Sequence, residues 1–307
     1  MKMVRHLALA AVLAVVGSTC QAQDWDKGYE AFRNKDYKTA FRQFLPLARE
    51  GDVFSQYAIA TMYDFGEGTP KNKTEAVYWY KLAAAQGDVE SQFNLGLTYS
   101  KGEGVLKNIV ESIKWYELAA EQGSYRAQHN LGWIYLNGEG VQKNSVEAIR
   151  WYRMAAEQGF IDSQYYLGFI HFYGNGVPQN YSEAEKWFLM AANLGHPMSQ
   201  FFLGSMYDNG NGLDQNTAEA FKWYAMAAKQ NNTEAQMALG ANFALGDRVP
   251  QNYLRAHMWF NLASANGYTE GISLRDLIAS KMTPEDISKA QAMASECMSS
   301  GYENCGW

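Results

Sequence analysis

The amino-acid sequence predicts an all-α fold in which short helix pairs stack into a solenoid. The chain has 307 residues, of which 47% are hydrophobic and only 6 are proline, so it contains enough apolar material for a sizeable core. Glycine and asparagine recur in a fixed order with a period of 36 residues, which is the pattern of a helix–turn–helix repeat. The same period, without one insertion, separates six tryptophans: Trp79, Trp115, Trp151, Trp187, Trp223 and Trp259.

Residues 1–22 have the features of a Sec-type signal peptide. Lys2 and Arg5 precede an apolar run, residues 7–16, and Ala22 ends a small-residue cleavage site. The apolar run is too short to cross a bilayer of about 30 Å, and no later stretch is long enough. We therefore expect cleavage after Ala22 and a periplasmic mature protein without an integral membrane segment, with full secretion as the alternative. A lipid anchor at Cys20 is disfavoured because the residues before it resemble a lipobox poorly.

The expected mature chain is acidic and contains two cysteines. Loss of Lys2 and Arg5 leaves 24 basic and 32 acidic side chains, a net charge of −8, which argues against a nucleic-acid partner. In an oxidising compartment, Cys297 and Cys305 are predicted to form one disulfide near the C-terminus. An intermolecular bridge or two free thiols are the alternatives.

The first helix of each unit is predicted from three columns of residues. Gln56, Ile59 and Tyr63, with their equivalents every 36 residues, lie three and four positions apart and form one stripe of a helix. Glycine in mid-helix costs up to about 1 kcal/mol relative to alanine, so a recurring glycine implies close approach of a backbone. That column contains Gly96, Gly132, Gly168, Gly204 and Gly240.

The turn and the second helix follow from capping residues. Gly66 and its equivalents occupy a position typical of a helix C-terminus with positive φ. Asn72 and its equivalents are predicted N-caps, and Glu75 and its equivalents complete a predicted capping box in five units.

These columns predict the domain boundaries. Residues 23–51 form a degenerate N-terminal capping helix pair, and residues 52–267 contain the six units. Beyond them, residues 268–307 form a C-terminal cap with two helices, the second begun by Thr283 and Pro284, and the disulfide tail. The predicted units are 52–87, 88–123, 124–159, 160–195, 196–231 and 232–267.

The repeated motif, A/S-Q-x-x-L-G-x-x-Y-x-x-G-x-G-V-x-x-N-x-x-E-A-x-x-W-Y-x-x-A-A-x-Q-G, resembles the SEL-1-like repeat, a relative of the tetratricopeptide repeat. The resemblance covers the six units and, more loosely, both caps. It implies a right-handed solenoid that acts as an adaptor or binding module in exported bacterial complexes, without a family-wide active site. Departures from the motif include His171, which replaces the column tyrosine, Arg248, which replaces the second turn glycine, and Arg255, which replaces the capping glutamate.

Function is expected where the units differ, on the first-helix face that lines the concave side in solenoids of this kind. The predicted partner-binding residues are Asn94, Asn130, Trp133, Tyr166, Phe169, Tyr173 and Phe202. Rigid aromatic rings and adaptable amides suit a protein or peptide partner. The competing interpretation is that several of these rings only pack against adjacent helices.

The leading hypothesis is a non-enzymatic periplasmic adaptor that binds a partner protein or an extended peptide. The alternative is an immunity protein that inhibits a secreted toxin such as a lipase effector, and a remote alternative is a cell-wall or β-lactam hydrolase. No metal-ligand spacing or nucleophile motif occurs in the sequence, so we expect no catalytic residues, no metal and no cofactor.

Overall fold

The computed structural model describes residues 24–303 and residue 305, and the helices among them confirm the all-α prediction. The predicted signal peptide lies outside the described residues. The chain forms two compact units, with the boundary between Asn144 and Ser145. The helices of the first unit are α1 (24–33), α2 (Tyr37–Arg49), α3 (Val53–Phe65), α4 (Lys73–Ala85), α5 (Val89–Lys101), α6 (Ile109–Glu121) and α7 (Tyr125–Asn137). The helices of the second unit are α8 (Ser145–Glu157), α9 (Ile161–Tyr173), α10 (Tyr181–Asn193), α11 (Pro197–Asn209), α12 (Thr217–Ala228), α13 (Thr233–Leu245), α14 (Tyr253–Ala265), α15 (Glu270–Ala279) and α16 (Pro284–Ser299).

The mid-helix glycines face aromatic rings, so the expected backbone approach is wrong. A Cβ built on Gly96 would lie 2.4 Å from Cδ1 of Tyr116, and one on Gly168 would lie 2.5 Å from Cδ1 of Phe188. Gly204 and Gly240 meet the equivalent rings of α12 and α14 at 2.6 Å. These distances are too short for a real Cβ. Each glycine therefore leaves room for the aromatic residue that follows the column tryptophan on the second helix.

The predicted N-caps form, but without the reciprocal half of a capping box. The side chain of Asn108 accepts a hydrogen bond from the backbone N–H of Glu111 at 3.1 Å. The backbone N–H of Asn108 donates instead to the carbonyl of Tyr99, and Asn180 pairs in the same way with the carbonyl of His171. The glutamate is thus free to pair with a cation on its own helix, as Glu111 does with Lys114 at 3.2 Å. The backbone carbonyl of position 171 accepts this bond whichever side chain is present, so the replacement of tyrosine by His171 leaves it intact.

A ladder of buried amides joins successive helix pairs. Nε2 of Gln92 donates to the carbonyl of Ala84 at 3.2 Å, and Nε2 of Gln122 donates to Oε1 of Gln92 at 2.8 Å. The same pairing occurs at Gln56–Gln86, Gln200–Gln230 and Gln236–Asn266. In the fourth unit Leu194 replaces the donor, and Oε1 of Gln164 has no hydrogen-bond partner among the described residues.

The column tryptophans are core residues, with Trp151, Trp187 and Trp259 at most 3% exposed and Trp115 half-buried. Rings of this size fill the space between stacked helices, as the period predicts. The last helix, α16, begins as expected, with Thr283 accepting a hydrogen bond from the N–H of Asp286 and Pro284 at its first position. Cys297, near its end, is joined to Cys305, with 4.6 Å between their Cα atoms.

Candidate protein-binding surface

Two of the three predicted contact residues of the first compact unit border a small pocket. Asn130 and Trp133 of α7 line a cavity of about 160 Å³, and Trp133 is 39% exposed. The remaining lining residues are Leu97, Ser100, Tyr116, Ile134 and Glu139. Asn94 is half-buried on α5 and is not part of the lining. The predicted face therefore contains a concave site whose lining includes both apolar and polar side chains.

Tyr116 forms the buried wall of this pocket. Burial raises the pKa of its hydroxyl, and hydrogen bonds with Ser100 and Asn130 partly offset that effect. The hydroxyl is therefore neutral at physiological pH. Asn130 thus interacts with Tyr116 at the pocket, and its role in partner binding stays a prediction.

An ion pair spans the same pair of first helices. Arg126 of α7 contacts the carboxylate of Glu90 on α5, and its guanidinium lies 4.3 Å from the centre of the Phe93 ring. Both charged side chains are 40% or more exposed, so the pair contributes little to stability. It nevertheless holds an arginine over an aromatic ring on the predicted face.

The predicted residues of the second compact unit divide into surface and core. Tyr173 is 54% exposed and its ring lies 4.8 Å from that of Phe169. Tyr166 is half-buried and stacks on Tyr152 at 5.1 Å. Phe202 is only 5% exposed and stacks on Phe188 at 4.8 Å, so it belongs to the core and the prediction of a contact residue is wrong there. At Phe202, the face of α11 that the sequence predicts to be exposed packs against α10.

Sequence reasoning missed Tyr165, which links this cluster to a histidine cap. Its ring lies 4.8 Å from that of His196 and 6.1 Å from that of Phe169, and burial raises its pKa to about 12. Nδ1 of His196 accepts the backbone N–H of Ser199 as the N-cap of α11, so the imidazole is neutral there. Burial lowers the pKa of His196, while Asp162 opposes the shift. Position 165 carries an aromatic residue in three other units, which was the available signal.

The described residues contain no group of three or more histidine, cysteine, aspartate or glutamate side chains that could hold a metal ion. No helix among them is long and apolar enough to span a bilayer. His171 lies within the fold, and neither of its ring nitrogens is hydrogen-bonded to another residue that the structure describes, whereas His196 caps a helix.

The sequence matches the model of the Sel1 repeat over residues 53–88, 89–124, 126–160, 161–196, 197–232 and 233–268. The chain belongs to the Sel1 repeat family. Most of the matched segments begin one residue after the predicted units. Sel1 repeat proteins are protein-interaction scaffolds, and the repeated helix pairs described above form their all-α solenoid.

Two solved structures resemble this Sel1 repeat protein over most of its length. The Sel1 repeat protein from Oxalobacter formigenes is 35% identical with a TM-score of 0.66, and the match covers 78% of this chain and 96% of that one. The protective antigen c5321 of uropathogenic Escherichia coli, which displays the SLR fold, is 27% identical with a TM-score of 0.59 and coverage of 92% and 70%. The immunity protein Pa5087 from Pseudomonas aeruginosa is 19% identical with a TM-score of 0.38 over 78% of this chain and 83% of its own, a likeness too low to support a shared function. None of the curated proteins matches the chain.

Proposed function

We propose that this Sel1 repeat protein is an exported, non-enzymatic adaptor that binds a partner protein or an extended peptide segment through its first-helix face. The observation that carries the proposal is the 160 Å³ pocket beside Trp133, which is 39% exposed although the tryptophans that recur every 36 residues are at least partly buried. A large aromatic ring next to a small apolar cavity with fixed polar groups is the usual centre of a protein interface.

The chemistry of the pocket suits a side chain from the partner. Trp133, Leu97 and Tyr116 provide apolar walls, while Glu139 supplies a carboxylate. The hydroxyl of Ser100 donates to the carbonyl of Leu97 at 2.8 Å, so this polar group of the lining needs little ordering on binding. In the second compact unit, the exposed Tyr173 lies against the half-buried Phe169 and provides a further aromatic contact.

Export rests on residues 1–22 alone, whose basic start, apolar run and small-residue site support a periplasmic location. N-terminal sequencing of protein from fractionated cells tests it. A chain that starts at Gln23 in the periplasmic fraction is expected, and an uncleaved cytoplasmic chain would contradict this part of the proposal.

The binding proposal is tested with a photo-crosslinking amino acid placed at Glu139, which lines the pocket and is exposed. The matched control carries the same amino acid at Leu106, which is 91% exposed on the turn after α5. We expect one partner, identified by mass spectrometry, to crosslink from position 139 and not from position 106. The crosslink should disappear in a Trp133→Ala background and persist in a Leu106→Ala background.

The Trp133→Ala protein must retain the circular dichroism spectrum of the wild type. We expect it to do so because the Trp133 side chain is 39% exposed. Crosslinks of equal yield from both positions, or an unchanged yield after Trp133→Ala, would refute the site. A toxin as the crosslinked partner would assign an inhibitory role to the same surface, and a structural or enzymatic partner would assign a scaffolding role.

A further inference from the structure

A second pocket lies in the second compact unit, enclosed by α12, α13 and α14. Its volume is about 210 Å³. Trp259, Leu239 and Phe243 form an apolar floor, and each is at most 9% exposed. The other lining residues are Phe221, Lys222, Ala225 and Arg255. An apolar cavity of about 150 Å³ is enough to bind benzene, so this one has room for a phenyl group or a short branched alkyl chain.

Comparison with the residues 36 positions earlier shows why a pocket is present here. Leu189 occupies the position of Ala225 in the preceding unit, and lysine, glutamate or arginine occupies it in the first three. The small alanine side chain leaves the space above Leu239 unfilled. The cavity therefore lies where the lining residues depart from the preceding unit, at position 225 and also at positions 221, 243 and 255.

The charge around the cavity is also reversed relative to the preceding unit. There, burial is the main cause of the raised pKa of Tyr207, and the carboxylates of Glu185 and Glu219 raise it further. In the pocket, phenylalanine replaces the tyrosine, Phe221 replaces the first carboxylate and Arg255 replaces the second. Relative to the preceding unit, the pocket therefore lacks two carboxylates and has one additional cation.

Arg255 is not explained by helix stability. It is the third residue of α14, where the helix macrodipole favours an acid, and the five other units have glutamate at this position. Its guanidinium lies 5.2 Å from the centre of the Phe243 ring, and no carboxylate among the described residues pairs with it. Lys222, the other cation of the lining, is paired with Glu219 at 3.2 Å. The unpaired charge at this pocket is thus the partly buried arginine.

We propose that this pocket binds an apolar group that carries a carboxylate, with the apolar group in the cavity and the carboxylate on Arg255. An arginine on an aromatic face presents its N–H groups in the planar fork that matches a carboxylate. The ligand is either a free small acid or the C-terminal carboxylate of a chain that ends in an apolar residue. The site uses none of the residues of the Trp133 pocket, so it stands or fails independently of the proposed function.

The test is calorimetric titration of the full exported chain with 3-phenylpropionate and with 3-phenylpropanamide, its neutral counterpart. We expect the acid to bind with one site per chain and the amide to bind at least tenfold more weakly. An N-acetylated Ala-Ala-Phe peptide, with either a free or an amidated C-terminus, distinguishes the sources. Tighter binding of the free-terminus peptide indicates a chain terminus, and tighter binding of phenylpropionate indicates a small acid.

Two variants assign the binding to the pocket. Arg255→Glu introduces the residue of the other five units, so the fold is expected to be retained, and affinity for the acid should fall at least tenfold. Ala225→Leu introduces the residue of the preceding unit and should cause a similar loss by filling the cavity. Lys38→Glu, on an exposed position of α2, makes the same change in net charge and should leave affinity unchanged. The proposal would be overturned if 3-phenylpropionate and its amide bound equally, or if neither 3-phenylpropionate nor the peptide with a free C-terminus bound. It would also be overturned if binding survived both pocket variants.

Discussion

Substituting Leu194 with glutamine should stabilise the protein. Four of the buried column glutamines accept a hydrogen bond at Oε1 from an amide 30 residues later, at 2.8–3.1 Å. Gln164 lacks this donor because Leu194 stands in its place, and its buried Oε1 has no hydrogen-bond partner within residues 24–303 and 305. A neutral hydrogen bond contributes about 0.5–1.5 kcal/mol, and a buried acceptor without a partner costs about 1–3 kcal/mol. Leu194 is 56% exposed, so its replacement loses little apolar burial, and we expect a gain of about 1 kcal/mol.

Gln122→Leu is the matched reverse substitution. Leu194 and Gln122 are both C-cap residues with nearly the same backbone conformation, φ −89° and ψ 7° against φ −85° and ψ 7°. Differences in helix propensity therefore enter the two variants with opposite sign. Gln122→Leu removes the donor to Gln92 and should cost about 1 kcal/mol.

Urea unfolding followed by far-ultraviolet circular dichroism measures both changes, with the slope m required to match that of the wild type. A loss for Gln122→Leu without a gain for Leu194→Gln would show that water already serves the Gln164 acceptor. No change in either variant would refute the view that the amide ladder stabilises the stacking of helix pairs.

Three further predictions follow from packing, titration and crosslinking. Gly168→Ala should lower the unfolding free energy by about 1–3 kcal/mol, because the new methyl group overlaps the fully buried Phe188 ring, and a gain in urea midpoint would contradict that packing. Burial lowers the pKa of His171, helped by Arg153 and Lys186 and opposed by Glu183. The unfolded chain therefore binds a proton first, so stability should fall as the pH drops below about 6.5 and His171→Tyr should reduce that fall in melting curves between pH 7.5 and 5.5. Replacing both disulfide cysteines with serine should cost about 2.5 kcal/mol by loop-closure entropy over a separation of 8 residues, and an unchanged melting temperature without reductant would exclude a structural role.

The regular part of the fold was predictable because local chemistry determines it. The asparagine N-caps, the αL glycines such as Gly102 and the start of α16 at Pro284 each depend on a few neighbouring residues. The disulfide partners were predictable because the expected mature chain contains only two cysteines. These features need no knowledge of which helix lies opposite.

The site was less predictable because aromatic residues at helical spacing serve both core and surface. Trp133 and Tyr173 are exposed, yet Phe202, on the same predicted face, stacks inside the protein. The signal for Phe202 was its position alone, and position does not show how far the neighbouring helix reaches. The same limit explains why the mid-helix glycines were expected to meet a backbone and meet rings instead.

The sequence by itself determined the fold class, the six repeats and the ends of their helices, since the period and the capping residues are local and repeat six times. Only the tertiary structure decided which side chains fill the space between helices. It placed the Trp133 pocket beside Tyr116, left Oε1 of Gln164 without a hydrogen bond from any residue described, and formed a cavity lined by Ala225 and Arg255. Those outcomes depend on contacts between residues 30 or more positions apart or on different helices, where a single change in side-chain volume or charge decides whether space is filled.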